Sequence, residues 1–461
     1  MLKIKILKIC QKEQRYVLDI LLGEFLGLKF DVEIHDENFI EINNKDSSIK
    51  FTLDSSFFHY AHKAWLGPSS MPKLPLKKWI VKNENINVEL IEPSIPLLYG
   101  KIDSNNPKVL IKNNKNFHLN LDIFGSVFFM LSRYEEIVEK ERDHHGRFKA
   151  ESSIASKENF LYRPLVDEYL EILWDCLKKF WPDLNRNSLN SKTLISCDVD
   201  QIYVTVPRLI KSCVGDLIIR KNLLQMAKRI NTYISNKLGL YQFDRSYTFD
   251  WYMDLCEKAG LKASFYFLPS SKEEKNGTYE ITDKKVITLL KNIDQRGHEI
   301  GIHGCYQTFN DKNKIINQKF FMESVLKKIG INQKIKGNRQ HYLRWDNSIT
   351  PEYLDSAGFE YDTTGCYADK PGFRYGTSKE FSLWGWQSSK KLKLKERPLI
   401  MMESTIISEN YMGMGYSKKT SEFMFKLKKT SLKYGGNFTI LWHNSHFENA
   451  EDKILFEKLI F

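Results

Sequence analysis

The chain is short of cysteine, and the cysteines it has are not spaced for a shared task. Cys10, Cys176, Cys197, Cys213, Cys256, Cys305 and Cys366 are scattered through 461 residues and never form C-x-x-C. An odd, dispersed set argues against a disulfide framework and against a thiolate zinc cluster, and it fits a reducing compartment. Long apolar runs are missing too. In "MLKIKILKICQKEQRYVLDILLGEFLG", Lys12, Glu13, Arg15 and Asp19 fall where an export signal needs an unbroken apolar centre. Nowhere do about 18 apolar residues follow one another, so no membrane-spanning helix is expected. There is no repeat of fixed period, no helix-turn-helix pattern and no RNA-binding signature. The net charge of +12 therefore reads as a general bias toward lysine and not as a nucleic-acid footprint. These absences predict a soluble, cytoplasmic protein with no nucleic-acid partner.

Apolar and aromatic residues are plentiful, at 42% and 13%, so a large core is available. At about 150 residues per domain, the length predicts two or three domains. Val17, Leu18, Leu21, Leu22, Phe25 and Leu26 recur with helical spacing, which predicts a helix over 14–28 stopped at Gly27. "FDVEIHDENFIEI" alternates and reads as strands. Helix is expected again over 121–143 and 164–181. "DHHGRF" lies between these helices, with His144, His145 and Arg147. Adjacent residues point to different faces of a helix or strand, so the histidine pair reads as turn or packing, not as a metal site.

"PDLNRNSLNSK" is polar and rich in Asn and Ser. It sets the expected boundary between an α+β domain, 1–188, and a second domain, 189–461. In the second, short apolar runs alternate with helical patterns ("TLISC", "KASFYFL", "HEIGIH", "FEYDTT", "PLIMMES", "NFTILWH"), which predicts parallel βαβ units. An insertion at about 203–247 interrupts them. Arg208, Lys211, Arg220, Lys221, Lys228, Arg229 and Lys237 meet few acids there. Ile219, Leu223, Met226, Ile230 and Ile234 interleave at helical spacing. The segment reads as an amphipathic excursion, with a basic lid toward an anionic glycan or a membrane surface as the functional alternative.

The chemistry collects at strand ends. In "LISCDVDQIY", Asp198 and Asp200 share one face of a strand's C-terminal end. Burying two carboxylates there is costly unless they are paired or bind metal, and such ends are where α/β active sites lie. His303 ends "HEIGIH" in the same position, and Glu299 and Gly301 share its face, whereas His298 opens the strand and reads as structural. Arg339 follows a further short strand in "NRQHYLRW" and is suited to orient a carboxylate. His443 ends "NFTILWH" and suits proton transfer.

Strand-D-x-D, then E-I-G-x-H, then R-x-x-Y, then L-x-H near the C-terminus resembles the polysaccharide deacetylases, carbohydrate esterase family 4, or NodB-homology group. The resemblance runs from about residue 194 to the C-terminus. "LLGEFLGL", "LSRYEE" and "DHHGRF" resemble the uncharacterised domain that precedes the catalytic domain in some bacterial members. It implies a distorted (β/α) barrel behind a smaller α+β domain. It also implies a hydrolase of non-peptide carbon–nitrogen bonds that removes N- or O-linked acetyl groups from an acetylated glycan with a divalent metal, zinc by preference. By position it makes Asp198 the general base, Asp200 and His303 metal ligands, Arg339 the orienter of the base and His443 the general acid. Substrate contacts are expected from Trp442, Tyr342 and Asp362.

Two departures stand out. The family's second metal histidine, about one turn after the first, is absent, and Gln307 stands near its place. His341, Cys305 or water could complete the site. The family's D-x-x-x-W motif has no match either; "YDTTGCYADKPGFRYGT", with Asp362 and Arg374, stands roughly there. The alternative is a catalytically impaired deacetylase fold that binds glycan or a partner of polysaccharide assembly.

Overall fold

The computed structural model describes the chain except for residues 46, 85, 102–108, 114, 189, 204–205, 219–220, 222, 238–243, 245, 271–274 and 448. Ile219 and Arg220 of the insertion thus lie outside the described residues. The chain forms two large sheets. The first takes β1 (Leu2–Leu7), β2 (Phe30–His35), β3 (Ile40–Asn44), β4 (Lys50–Leu53), β7 (Leu110–Asn113) and β8 (Asn116–Leu119), in the order β2-β1-β3-β4-β8-β7. A small separate hairpin pairs β5 (Lys77–Trp79) with β6 (Ile95–Leu97). β1 alternates cleanly, with Leu2, Ile4 and Ile6 buried and Lys3 and Lys5 partly exposed, as a strand with one covered face should.

The helix expected over 14–28 starts earlier, at Gln11, and widens into a π-helix over Asp19–Phe25 before Gly27, at φ 70°, ends it. The helix expected over 121–143 is two helices, Ile123–Leu131 and Tyr134–Val138. The break falls at Arg133, whose backbone is left-handed (φ 52°) and whose buried guanidinium is held by Glu135, Glu136, Tyr367 and the carbonyl of Arg374. Tertiary bonds to one residue override a continuous apolar pattern.

The second sheet has nine strands: β9 (Thr193–Val199), β10 (Ala263–Phe267), β11 (Glu299–Gly304), β12 (Gly337–Gln340), β13 (Tyr361–Asp362), β14 (Phe381–Gly385), β15 (Lys390–Glu396), β16 (Met401–Met402) and β17 (Phe438–Leu441). Their order is β14-β15-β13-β12-β11-β10-β9-β17-β16, and every pair is parallel except β14 with β15. The molecule is thus a mixed α/β protein.

The nine-stranded sheet curls. β10 and β11 stand between β9 and β12, a spacing of about 14 Å in a flat sheet. Yet Arg339 of β12 reaches Asp198 of β9 at 2.8 Å, and Tyr266 of β10 meets Tyr361 of β13 at 2.9 Å, hydroxyl to hydroxyl. The concave face is therefore lined by polar side chains that reach across it. The curl stops short of closure, with β14 and β16 as the two edges. The β14–β15 hairpin is the part of this sheet that the sequence reading did not anticipate.

Candidate active site

Five strand ends meet in one cleft of about 210 Å³. β9 delivers Asp198 and Asp200, β11 His303, β12 Arg339 and His341, β16 Glu403, and β17 His443. Each stands at or just after the C-terminal end of its strand, and the alternation of the strand fixes which face it joins.

Asp198 is buried, and its Oδ1 accepts from Nη1 of Arg339 at 2.8 Å. Arg339, with no exposed surface, also donates from Nε to the Thr363 carbonyl (3.0 Å) and from Nη2 to Ser196 Oγ (2.9 Å), and it lies over the Tyr266 ring. Four fixed partners leave this guanidinium one orientation. Asp198 Oδ2 faces Nε2 of His303 at 3.7 Å.

Asp200 Oδ1 sits 3.4 Å from Nε2 of both His303 and His341. It is buried without a hydrogen-bond partner. Nδ1 of His303 lies 2.9 Å from the Arg339 carbonyl, which can only accept, so Nδ1 carries a proton and Nε2 is the atom turned toward Asp200. Burial pushes the pKa of His341 below its ordinary value, which keeps that ring neutral. At His303 burial acts the same way, but Asp198 and Asp200 more than offset it and raise the pKa: the cluster attracts positive charge. One atom each from Asp200, His303 and His341 lie within 4.8 Å of one another. An orphaned carboxylate oxygen facing two imidazole nitrogens fits a divalent metal, and N, N, O donors suit zinc. Gln307 is exposed and Cys305 Sγ faces the Ser270 carbonyl at 3.4 Å, so His341, from the neighbouring strand, is the donor nearest to the missing histidine's task.

Glu403 is the residue that sequence reasoning missed. Its Oε1 accepts from Nδ1 of His443 and Nδ1 of His446, at 2.6 Å each. Burial alone would raise the Glu403 pKa, but His443 and His446 hold it far below the carboxylate range. Burial would lower the His443 pKa; Glu403 reverses this and pushes it up to about 10. Glu403, His443 and His446 also have ligand-type atoms within 4.8 Å of one another. Both Nδ1–H groups serve one oxygen of Glu403, which holds the two imidazoles in fixed orientations. The signal was available: Glu403 follows a strand end, the rule that singled out the aspartates.

The expected substrate contacts divide. Tyr342 lines the cleft and is 37% exposed. Trp442 is corrected: it is fully buried, stacks on Phe447 and donates to the His446 carbonyl. Asp362 is corrected as well, because its oxygens accept from Asn338 Nδ2 (2.7 Å) and from the backbone N–H and hydroxyl of Thr364, which makes it a buried turn anchor. Arg374 is likewise buried, against Glu136 and the Cys366 carbonyl. A residue from the first part of the chain does enter the cleft. Arg147 lines it, tied to Asp143 at 2.7 Å and donating to the Tyr342 carbonyl at 3.0 Å. Tyr342 and Leu343 are both left-handed (φ 60° and 55°), a conformation that side chains resist. Arg147 thus braces the strained turn that follows His341. Of the His pair, His145 packs on Tyr342 and bonds Tyr306, as a packing role predicts.

Comparison with known proteins adds little to this geometry. Residues 2–182, less than half of the chain, match a family of unknown function, DUF7033. No curated protein matches. Among solved structures, a protein assigned as a polysaccharide deacetylase from Mycobacterium smegmatis is 14% identical, covering 59% of this chain and 84% of its own, at a TM-score of 0.38. The Puue allantoinase is 9% identical over 61% and 85%, at 0.38. A protein assigned as a polysaccharide deacetylase from Pseudomonas aeruginosa PAO1 is 9% identical over 67% and 90%, at 0.39. Likenesses of this size carry no weight for function, which has to be read from the side chains.

Proposed function

We propose that the chain is a metal-dependent hydrolase that removes N- or O-linked acetyl groups from a glycan or polysaccharide precursor. One observation carries this reading. A carboxylate clamped by a guanidinium, Asp198 with Arg339, and an imidazole clamped by a carboxylate, His443 with Glu403, flank the Asp200, His303 and His341 donors in one cleft.

Hydrolysis of an amide or ester needs a base for the attacking water and an acid for the departing amine or alkoxide. Asp198 is the base: Arg339 holds Oδ1, and Oδ2 remains on the cleft side to take the water's proton. His443 is the acid: it carries its proton at neutral pH, and its Nε2, 3.7 Å from Asp200, delivers it to the leaving atom. Asp200, His303 and His341 would hold the metal, which would supply a Lewis acid for the carbonyl and a lowered pKa for water. Tyr342 and Tyr411 offer ring faces and hydroxyls at the rim, where a sugar would lie. The competing reading, a catalytically silent glycan binder, leaned on the absent second histidine; His341 offers a donor in its place.

Elemental analysis of zinc-reconstituted protein tests the reading. Wild type is expected to hold one metal, and Asp200→Ala and His303→Ala to lose it. Asp198→Asn is expected to keep the metal and lose acetate release from an acetylated amino-sugar oligomer by about 10²–10⁴-fold. Wild type that takes up no metal, or an active Asp198→Asn, would sink the proposal.

A further inference from the structure

Two helices of the insertion, Val206–Ile218 and Leu223–Lys237, pack on each other yet leave apolar stripes in water. On the first, Ile210, Val214, Leu217 and Ile218 follow i, i+4, i+7, i+8 spacing. On the second, Leu223, Ile230 and Ile234 follow i, i+7, i+11, with Leu224 beside them. These eight side chains are between 41% and 68% exposed. They make up a third of the 24 large apolar side chains exposed among the described residues, within 25 positions. Scattered exposed apolar residues need no explanation; two stripes on neighbouring helices do.

Charge says what covers them. Residues 206–237 hold seven Lys and Arg and one acid, Asp216, a net of +6 against +12 for the whole chain. Half of the net charge thus sits in 32 of 461 residues. A protein partner would need one of the two features; apolar stripes inside a strongly basic segment match a bilayer with anionic headgroups. Helices of 13 and 15 residues are too short to cross a bilayer, which takes about 20, but they can lie in its surface.

We infer that the helix pair Val206–Ile218 and Leu223–Lys237 docks on the surface of an anionic lipid bilayer. Docking there brings the cleft with it. The first helix begins six residues after Asp200, so it starts within about 20 Å of the candidate metal donors. Asn444, next to His443, donates from Nδ2 to the carbonyls of Gln201 and Ser246 at 2.8 Å each, which pins both stems of the insertion at the rim. A cleft held this way faces substrates carried at a membrane surface. Docking itself stands apart from the hydrolase reading, since it needs neither metal nor turnover.

Cosedimentation of the full chain with sucrose-loaded vesicles tests it. On phosphatidylcholine mixed with phosphatidylglycerol at about 2:1, binding is expected to exceed that on phosphatidylcholine alone by at least about tenfold, and to fall between about 0.1 M and about 0.5 M salt. Combined serine substitution at Leu217, Ile218, Leu223 and Leu224 should abolish binding with metal content unchanged. Lys221→Glu, a single change at an exposed position, should weaken binding at least about fivefold with an unaltered circular dichroism spectrum. Equal binding to both vesicles, no binding to either, or a serine variant that binds like wild type would overturn the inference. So would a dimer in sedimentation velocity that the serine changes dissolve while vesicles are ignored, which would make a second copy the occupant.

Discussion

Replacing Glu136 by glutamine asks how much of the stability comes from the bridge between the first part of the chain and the loop after β13. Glu136 Oε1 accepts from Arg133 Nε (2.9 Å) and Arg374 Nε (2.8 Å), and Oε2 accepts from Arg374 Nη2 (2.7 Å). All three residues are buried, at 0%, 2% and 3% exposure for Arg133, Glu136 and Arg374. Burial pushes the Glu136 carboxyl up; Arg374 and Arg133 win and hold it at about 2 against an ordinary 4.5. That gap corresponds to about 3 kcal/mol of preference for the ionised form in the folded state. Glutamine keeps the shape but removes the charge and turns an N–H toward a guanidinium, leaving two buried cations short of a partner. The expected cost is about 3–5 kcal/mol at pH 7, a large share of a typical folding free energy. Urea unfolding followed by tryptophan fluorescence and far-ultraviolet circular dichroism measures it. Because the folded pKa lies below the unfolded one, the carboxylate's contribution is complete above about pH 5 and is lost as the pH falls toward 2. The gap between wild type and Glu136→Gln should therefore narrow as the pH drops. A cost below about 1 kcal/mol at pH 7, or a gap that does not change with pH, would refute the reasoning.

Three further perturbations separate roles within the cleft. His341→Ala should weaken zinc binding by about two orders of magnitude, taking about 3 kcal/mol per ligand, while Gln307→Ala leaves it unchanged; chelator competition reads both, and an equal loss would return the third position to Gln307. Arg147→Met touches no candidate ligand, yet release of the turn at Tyr342 should cost about 10–100-fold in metal affinity with an unaltered circular dichroism spectrum; wild-type affinity would reduce Arg147 to packing. His443→Ala should remove about 10²–10⁴-fold of turnover and His446→Ala less than about tenfold, because Glu403 still accepts from His443 in the second variant; equal losses in acetate release would mean that the two imidazoles act as a pair.

The positional rule that served the sequence best was a polar residue at the end of a short apolar strand. It singled out Asp198, Asp200, His303, Arg339 and His443; four of them line one cleft, and Arg339 lies buried behind it, on Asp198. It failed where strands are too short to show a pattern. "PLIMMES" reads as one strand, but β16 is only Met401–Met402, so Glu403 does not stand out as the residue at its end. Trp442 misled because an aromatic beside a functional histidine looks like a sugar platform; the alternation of a strand sends it to the opposite, buried face. Asp362 misled because one of its oxygens is taken by Asn338, 24 positions earlier, and the other by the backbone of Thr364 two residues on, a short turn that a carboxylate at a strand end does not announce. The break at Arg133 has the same cause: partners at 367 and 374 decide the backbone there, more than 230 residues away.

Those distant partners change what the first 188 residues are for. A separate accessory module would meet the nine-stranded sheet through a polar, solvated contact. Here Tyr16 donates to the Ser382 carbonyl, Asp167 accepts from Thr377, and Arg133 and Glu136 engage Arg374, all in buried surroundings. One apolar core runs through both sheets. Arg147 extends the same contact to the rim of the cleft, where it holds the Tyr342 carbonyl on the turn that carries His341. On the proposed reading, the third donor that a local motif lacks comes from His341 after β12 and is steadied from the other half of the chain. A site assembled across the fold leaves no compact signature in sequence, because Arg147, His341 and Glu403 come to it from separate parts of the chain rather than from one spaced pattern. It also means that residues 189–461 alone would lose the brace on that turn together with the partner of Arg374, so any activity of the cleft belongs to the two sheets as a unit.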